Sequence, residues 1–197
     1  MKKTLKCALF LTLIVLALFA MTMFGASAAT HANDTDAISA GDVVKVAYTK
    51  NGVATTEYYA TVSAAVTGMG DAIADGATIT VLDDISADAA TTISAGTVTI
   101  NGNGHTVDGF RLTVSGATVS VNNLKVNVSV TRAITLSGGT LTFGAGTELT
   151  TTVGDSIYVT GGTLNIDGEA AAPVKMNSTK NTVIRVYSQN CCRPATY

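Results

Sequence analysis

The side chains able to do chemistry are few in this 197-residue chain. Asp83-Asp84, Asp108, Asp155, Asp167 and Glu169 are among the acids of its central and C-terminal parts, and Arg111, Arg132 and Arg185 among the arginines. Carboxylates gathered beside a cation could hold Ca²⁺, or act as acid and base, in the cleavage of an acidic polysaccharide. Asp108 with Arg111 comes nearest to such a pair and is the catalytic candidate. The local sequence favours another role. Asp108-Gly109 and Asp167-Gly168 are turn dipeptides, in which the Asp carboxylate bonds its own backbone. His105 stands alone and makes no metal site; its expected place is a partly buried ring bonded to a neighbouring coil. A sugar-binding groove would offer aromatic platforms, yet there is no Trp, and the central part has only Phe110, Phe143 and Tyr158. The glycine-rich Asn101-Gly-Asn-Gly104 does not open a helix, so it is no phosphate cradle. Cys191 and Cys192 are adjacent and make a strained bridge at best. No metal and no cofactor are expected, and the chain reads as non-catalytic.

What must position these residues begins after a leader. Lys2, Lys3 and Lys6 precede an apolar run from Cys7 to Phe24, and Ala26-x-Ala28 offers the small side chains a signal peptidase accepts. Cleavage after Ala28 is expected, with an uncleaved anchor as the competing reading, since the run is close to bilayer-spanning length. Removing residues 1–28 takes three basic residues and no acidic ones, leaving 9 Lys+Arg against 14 Asp+Glu, a net charge of −5. Such a chain has no electrostatic reason to seek nucleic acid or anionic lipid, so the leader is its only expected tie to a membrane. The expectation is a secreted or cell-surface protein exported by a bacterium.

The main signal is an internal repeat. Ile93-Ser-Ala-Gly-Thr97-Val-Thr-Ile-Asn101, Val114-Ser-Gly-Ala-Thr118-Val-Ser-Val-Asn122, Leu136-Ser-Gly-Gly-Thr140-Leu-Thr-Phe-Gly144 and Val159-Thr-Gly-Gly-Thr163-Leu-Asn-Ile-Asp167 align without gaps. A shorter match, Gly76-Ala-Thr78-Ile-Thr-Val81, precedes them. The marker threonines Thr78, Thr97, Thr118, Thr140 and Thr163 are 19, 21, 22 and 23 residues apart. Apolar residues alternate on both sides of each Gly/Ala corner, which puts them on one strand face and the threonines on the other. A third extended stretch fits between repeats, at His105–Val107, Leu124–Val130, Leu149–Val153 and Val174–Met176. Three strands per turn of about 20 residues is the arithmetic of a parallel β-helix. Stacking would align Ile93, Leu112 or Val114, Leu136 and Val159, and likewise Ile100, Val121, Phe143 and Ile166. Asn101 and Asn122 fall at one corner and could form an amide ladder, which Gly144 and Asp167 interrupt.

The fold class expected is therefore all-β: a short right-handed parallel β-helix of about five coils over 76–190, with an N-terminal hairpin and short capping helix over 43–75. Residues 29–42 read as a disordered lead and 191–197 as an irregular tail. Asn51-Gly52 between Val43–Thr49 and Val53–Tyr59 signals the hairpin. Val62, Val66, Met69 and Ile73 follow helical spacing from a Thr61 cap, with Gly76 as a stop.

Three stretches carry a resemblance. Glu57-Tyr-Tyr-Ala-Thr-Val-Ser-Ala-Ala-Val66, Asp75-Gly-Ala-Thr-Ile-Thr-Val-Leu-Asp-Asp84 and Thr97-Val-Thr-Ile-Asn-Gly-Asn-Gly-His-Thr-Val-Asp-Gly109 resemble the opening of a pectate-lyase-like right-handed β-helix, as in large secreted bacterial surface proteins. The resemblance covers residues 43–110 and implies fold and location; it transfers no catalytic residue.

One outward array has a regularity of its own. Thr78-x-Thr80, Thr97-x-Thr99, Thr118-x-Ser120, Thr140-x-Thr142 and Thr163-x-Asn165 put short polar side chains on the same strand of successive coils. Such a lattice resembles the ice-contacting faces of some solenoid antifreeze proteins, although Thr is also simply suited to a solvated strand. The function expected is a non-catalytic stalk, adhesive or display segment facing extracellular polysaccharide or a host surface. A polysaccharide lyase or hydrolase using Asp108 and Arg111 is the alternative. Ile184-Arg-Val186 begins a sixth coil whose Gly-Gly-Thr corner never arrives, so a longer natural protein, or self-association through the open last coil, is also expected.

Overall fold

A computed structural model describes residue 29 and residues 31–70, 76–130 and 132–187. The expected leader over 1–28, Ile73 of the expected first helix, and Cys191 and Cys192 of the expected tail lie outside the described residues.

Alternation of apolar and polar residues builds strands throughout. β1 (Val44–Lys50) and β2 (Val53–Tyr59) form an antiparallel hairpin. Its turn residues Asn51 and Gly52 both have positive φ, 54° and 77°, the geometry for which Asn-Gly is selected. α1 (Asp34–Ala40) precedes the hairpin. It corrects the expectation of a disordered lead. Asn33 Oδ1 accepts the Asp36 N–H, and Gly41 closes the helix in the left-handed region. Two of the acidic residues that suggested disorder are partnered, Asp34 on the hairpin and Asp42 by His31. Asp34 takes the Lys45 ammonium at 2.9 Å and the Tyr58 hydroxyl at 2.8 Å, and His31 Nε2 lies 2.9 Å from Asp42 Oδ2.

α2 (Val62–Met69) starts at Thr61, whose Oγ1 accepts the Ala64 N–H, and buries Val62, Ala65, Val66 and Met69. Gly68 in its last turn is a packing requirement, because a Cβ there would overlap the Tyr59 ring. The helix packs against β1, β2, β3 (Ala77–Val81) and β4 (Ala90–Ile93). β1 in turn pairs antiparallel with β3. Hairpin and helix together cover the first coil, whose strand edges would otherwise stay unpaired.

Among the described residues the strands from β3 onward pair with one another in parallel, the antiparallel bridge of Glu169 with Ala172 lying in a loop. One sheet contains β3, β5 (Thr97–Asn101), β7 (Arg111–Asn122), β9 (Ile134–Gly144), β11 (Ile157–Val159), β12 (Thr163–Asp167) and β14 (Ile184–Val186). A second, four-stranded sheet stacks β6 (Thr106–Asp108), β8 (Lys125–Val128), β10 (Glu148–Thr151) and β13 (Lys175–Ser178). The result is a right-handed parallel β-helix of about four turns, not five. The first coil is incomplete, and in the second sheet it contributes only the bridge between Ile85 and Val107.

The core is a set of apolar columns. Ile93, Val114, Leu136 and Val159 are in register, as are Ile100, Val121 and Phe143, and Val107, Val126, Leu149 and Met176. Ile79, Ile100, Val98, Val119, Leu136 and Leu141 are fully buried. Ile166 continues its column opposite Phe143 yet is 47% exposed, because among the described residues β12 pairs only with β9.

The corners hold a close approach that strand periodicity does not announce. A Cβ on Gly116 would sit 2.5 Å from Ser94 O, one on Gly138 2.5 Å from Ser115 O, and one on Gly161 2.7 Å from Ser137 O. Each corner glycine thus lies directly on the carbonyl of the corner below. The need for glycine there is steric room between coils.

Candidate functional site

The outward side of β3, β5, β7, β9 and β12 is a lattice of short side chains in three columns. Thr97, Thr118, Thr140 and Thr163 form the first. Thr78, Thr99, Ser120, Thr142 and Asn165 form the second, and Thr80, Asn101, Asn122, Gly144 and Asp167 the third. Thr78 therefore lies beside Thr99, two residues from its expected place beside Thr97. A slip of two keeps every side chain on its own face, so the outward array survives in a shifted register. The columns are tied across coils: Asn165 Nδ2 donates to Thr142 Oγ1 at 3.3 Å, and Asn122 Nδ2 to Asn101 Oδ1 at 3.4 Å. The amide ladder thus exists as one rung. It stops at Gly144, where any Cβ would overlap Asn122 Oδ1.

The catalytic candidates are not brought together as an ion pair. Asp108 lies on β6 of the second sheet, where its Oδ1 accepts Asn127 Nδ2 at 3.0 Å. Arg111 opens β7 of the first sheet and is in register with Ala90. The two are separated by the turn at Gly109, whose φ of 79° fits the turn-dipeptide role. Asp108 does border a shallow trough of about 510 Å³, but the trough's other polar side chains are Asp88, Asn127 and Ser or Thr hydroxyls, with no cation. His105 has its expected place: Nδ1 lies 3.4 Å from Asp84 Oδ1 of the preceding coil. Asp84 also accepts the Thr106 N–H at 2.8 Å, and chiefly this bond holds its carboxyl below the usual range. Asp83 and Asp84 are exposed loop residues, and Asp167 ends the third column. Among the described residues no three His, Cys, Asp or Glu side chains converge on a metal-sized site.

Two associations were not legible in the sequence. Asp88 accepts the N–H groups of Val62 and Ser63 at 3.0 and 3.2 Å, and the Ser63 hydroxyl, so it caps α2 from a distant loop. Asp155 meets Arg185 at 3.1 Å, with Arg132 lining the same cavity. Neither pairing follows any local pattern; the first is created by docking of α2 on the first coil and the second by coil stacking.

Comparison with protein families, with curated proteins and with solved structures finds no match to this chain.

Proposed function

We propose that this chain is a non-catalytic β-solenoid of the bacterial exterior, secreted or held at the cell surface, acting as a stalk, adhesive or display segment. The observation that carries this reading is the outward lattice of the first sheet: five strands in register present Thr, Ser and Asn side chains in columns. Such a face offers many weak hydroxyl and amide contacts over an extended surface, which suits polysaccharide or a host surface better than one small substrate. The leader over residues 1–28 supports export. The likeness of residues 43–110 to the opening of pectate-lyase-like surface β-helices supports the same location.

The test is incubation of the purified chain with pectin, alginate, xylan and chitin in the presence of Ca²⁺. No unsaturated or reducing ends should be released. Release that disappears in Asp108→Ala or Arg111→Ala would replace this reading with a polysaccharide lyase or hydrolase.

A further inference from the structure

The last coil, made of β12, β13 and β14, is open on the side away from α2. Among the described residues each of these strands pairs on one edge only, with β9, β10 and β11 in turn. The apolar residues exposed there belong to the core columns. Ile166 follows Phe143 and Val186 follows the buried Val159, yet they are 47% and 68% exposed. Leu164, Met176 and Ile184 are partly buried beside them. Unpaired strand edges around an apolar centre are a template for further strands. At the opposite end β1 pairs with β3 and α2 packs over the first coil, so the apolar interior is covered. A second copy finds an open interior to match only at this same end, which makes the contact two-fold and closed.

The shape of the end fixes how two copies fit. Successive coils are one strand spacing apart, about 4.8 Å. The last coil climbs that distance on its way through β12, β13 and β14, so its end is a ramp with one step, where β14 stands beyond β12. Two such ramps, turned end to end about a two-fold axis through β13, interlock without a gap. β13 then lies against β13 of the second copy, and β12 against its β14, all antiparallel and one spacing apart. An axis through β12 would drive β13 into β14 of the second copy. An axis through β14 would hold the other strands about two spacings apart, too far to pair.

We infer that the open last coil is the interface of a homodimer, in which two copies join end to end about β13 with Ile166 against Val186 and Asp167 against Arg185. In an antiparallel pair only residues on the same face stand opposite one another. The register that sets Ile166 opposite Val186 of the second copy buries the two column residues that the open end leaves exposed. It also sets Asp167 opposite Arg185, so charges of opposite sign meet. Asp167 is exposed and has no ion-pair partner among the described residues, and the Arg185 side chain is half exposed beside Asp155. The two-fold repeats both contacts and brings the two Met176 side chains near the axis. The dimer does not rest on the threonine lattice.

Sedimentation of the purified chain over a range of concentrations should show a monomer–dimer equilibrium with a micromolar midpoint, as suits a contact one coil wide. Ile166→Asp alone and Val186→Lys alone should each weaken dimerisation at least about tenfold, because each leaves an unpaired charge in the contact. A mixture of the two variants should recover it. The introduced carboxylate then faces the introduced ammonium at one contact, while the other contact keeps Ile166 against Val186. Recovery also shows that both variants are folded. Asp167→Asn should weaken the dimer about fivefold at low salt, through two lost surface pairs. A chain that stays monomeric at high concentration, whether its last coil is covered by residues 188–197 or by nothing, would overturn the inference. So would association that neither single variant weakens, or a mixture that fails to recover it.

Discussion

Asp88 Oδ2 accepts the backbone N–H of Val62 at 3.0 Å across 26 residues of sequence. Together with Thr61 Oγ1 on Ala64 N, it satisfies the first turn of α2, whose N–H groups have no partners within the helix. The helix that covers the first coil is therefore fastened by the loop between β3 and β4. Asp88→Ala should lower stability by about 1–2 kcal/mol, the usual worth of a cap. Chemical denaturation of the two proteins checks this, and hydrogen exchange of the Val62 and Ser63 amides should accelerate in the variant.

The inward and outward assignment of β7 sets Val121, 2% exposed, against Thr118, whose side chain faces solvent. Val121→Asp places an unpaired charge among stacked apolar columns and should cost more than about 4 kcal/mol. Thr118→Ala should change stability by less than about 0.5 kcal/mol. Thermal melts of both variants decide the matter. Equal melting temperatures would refute the assignment.

Glycine serves two separable purposes, and the corners distinguish them. At Gly138 an added Cβ would lie 2.5 Å from Ser115 O, which is backbone and cannot move aside without shifting a coil. Gly138→Ala should therefore cost about 2 kcal/mol or more. At Gly41 nothing lies within 4 Å, but φ is 86°. Gly41→Ala should cost about 1 kcal/mol through backbone strain alone. Urea unfolding of the pair should show the larger loss at Gly138.

Stability should fall at both ends of the pH scale for different reasons. Asp34 is held below its ordinary value chiefly by the Lys45 hydrogen bond, Glu148 chiefly by that of Lys175, and Asp84 chiefly by the Thr106 N–H. Folded values below unfolded ones mean that this stability is present above the ordinary carboxylate range and is lost as pH falls beneath about 4. Tyr48 moves the other way. Burial, and then its bond to Glu57, pushes the phenol from 10.0 up to about 12. Its contribution is complete below pH 10 and disappears as pH rises toward 12. Urea midpoints measured across both ranges should show the two losses, and Tyr48→Phe should reduce only the alkaline one.

Much of the fold is legible because period-two alternation and the Gly/Ala corners repeat. The positions of β5 to β13, the Asn51-Gly52 turn and the Thr61 cap all follow from local rules. The shifted register of Thr78 does not. A slip of two leaves the alternation unchanged, so only the pairing of Ala77 with Val98 reveals it. α1 was hidden because its seven residues have one buried side chain, Ala37, and no apolar stripe. What orders it is polar, the contacts of Asp34 with Lys45 and Tyr58. The lattice was visible as a motif, whereas the meeting of Arg132, Asp155 and Arg185 depends on which coils stack and has no sequence spacing to announce it.

We propose that this solenoid is displayed outside the cell. The most direct test is labelling of intact bacteria expressing the full chain with a membrane-impermeant amine reagent, followed by mapping of the modified lysines. Lys175 and Lys180 are exposed on the last coil, and both should be modified on intact cells, with labelling abolished when residues 1–28 are deleted. Labelling that appears only after the cells are broken would contradict the account.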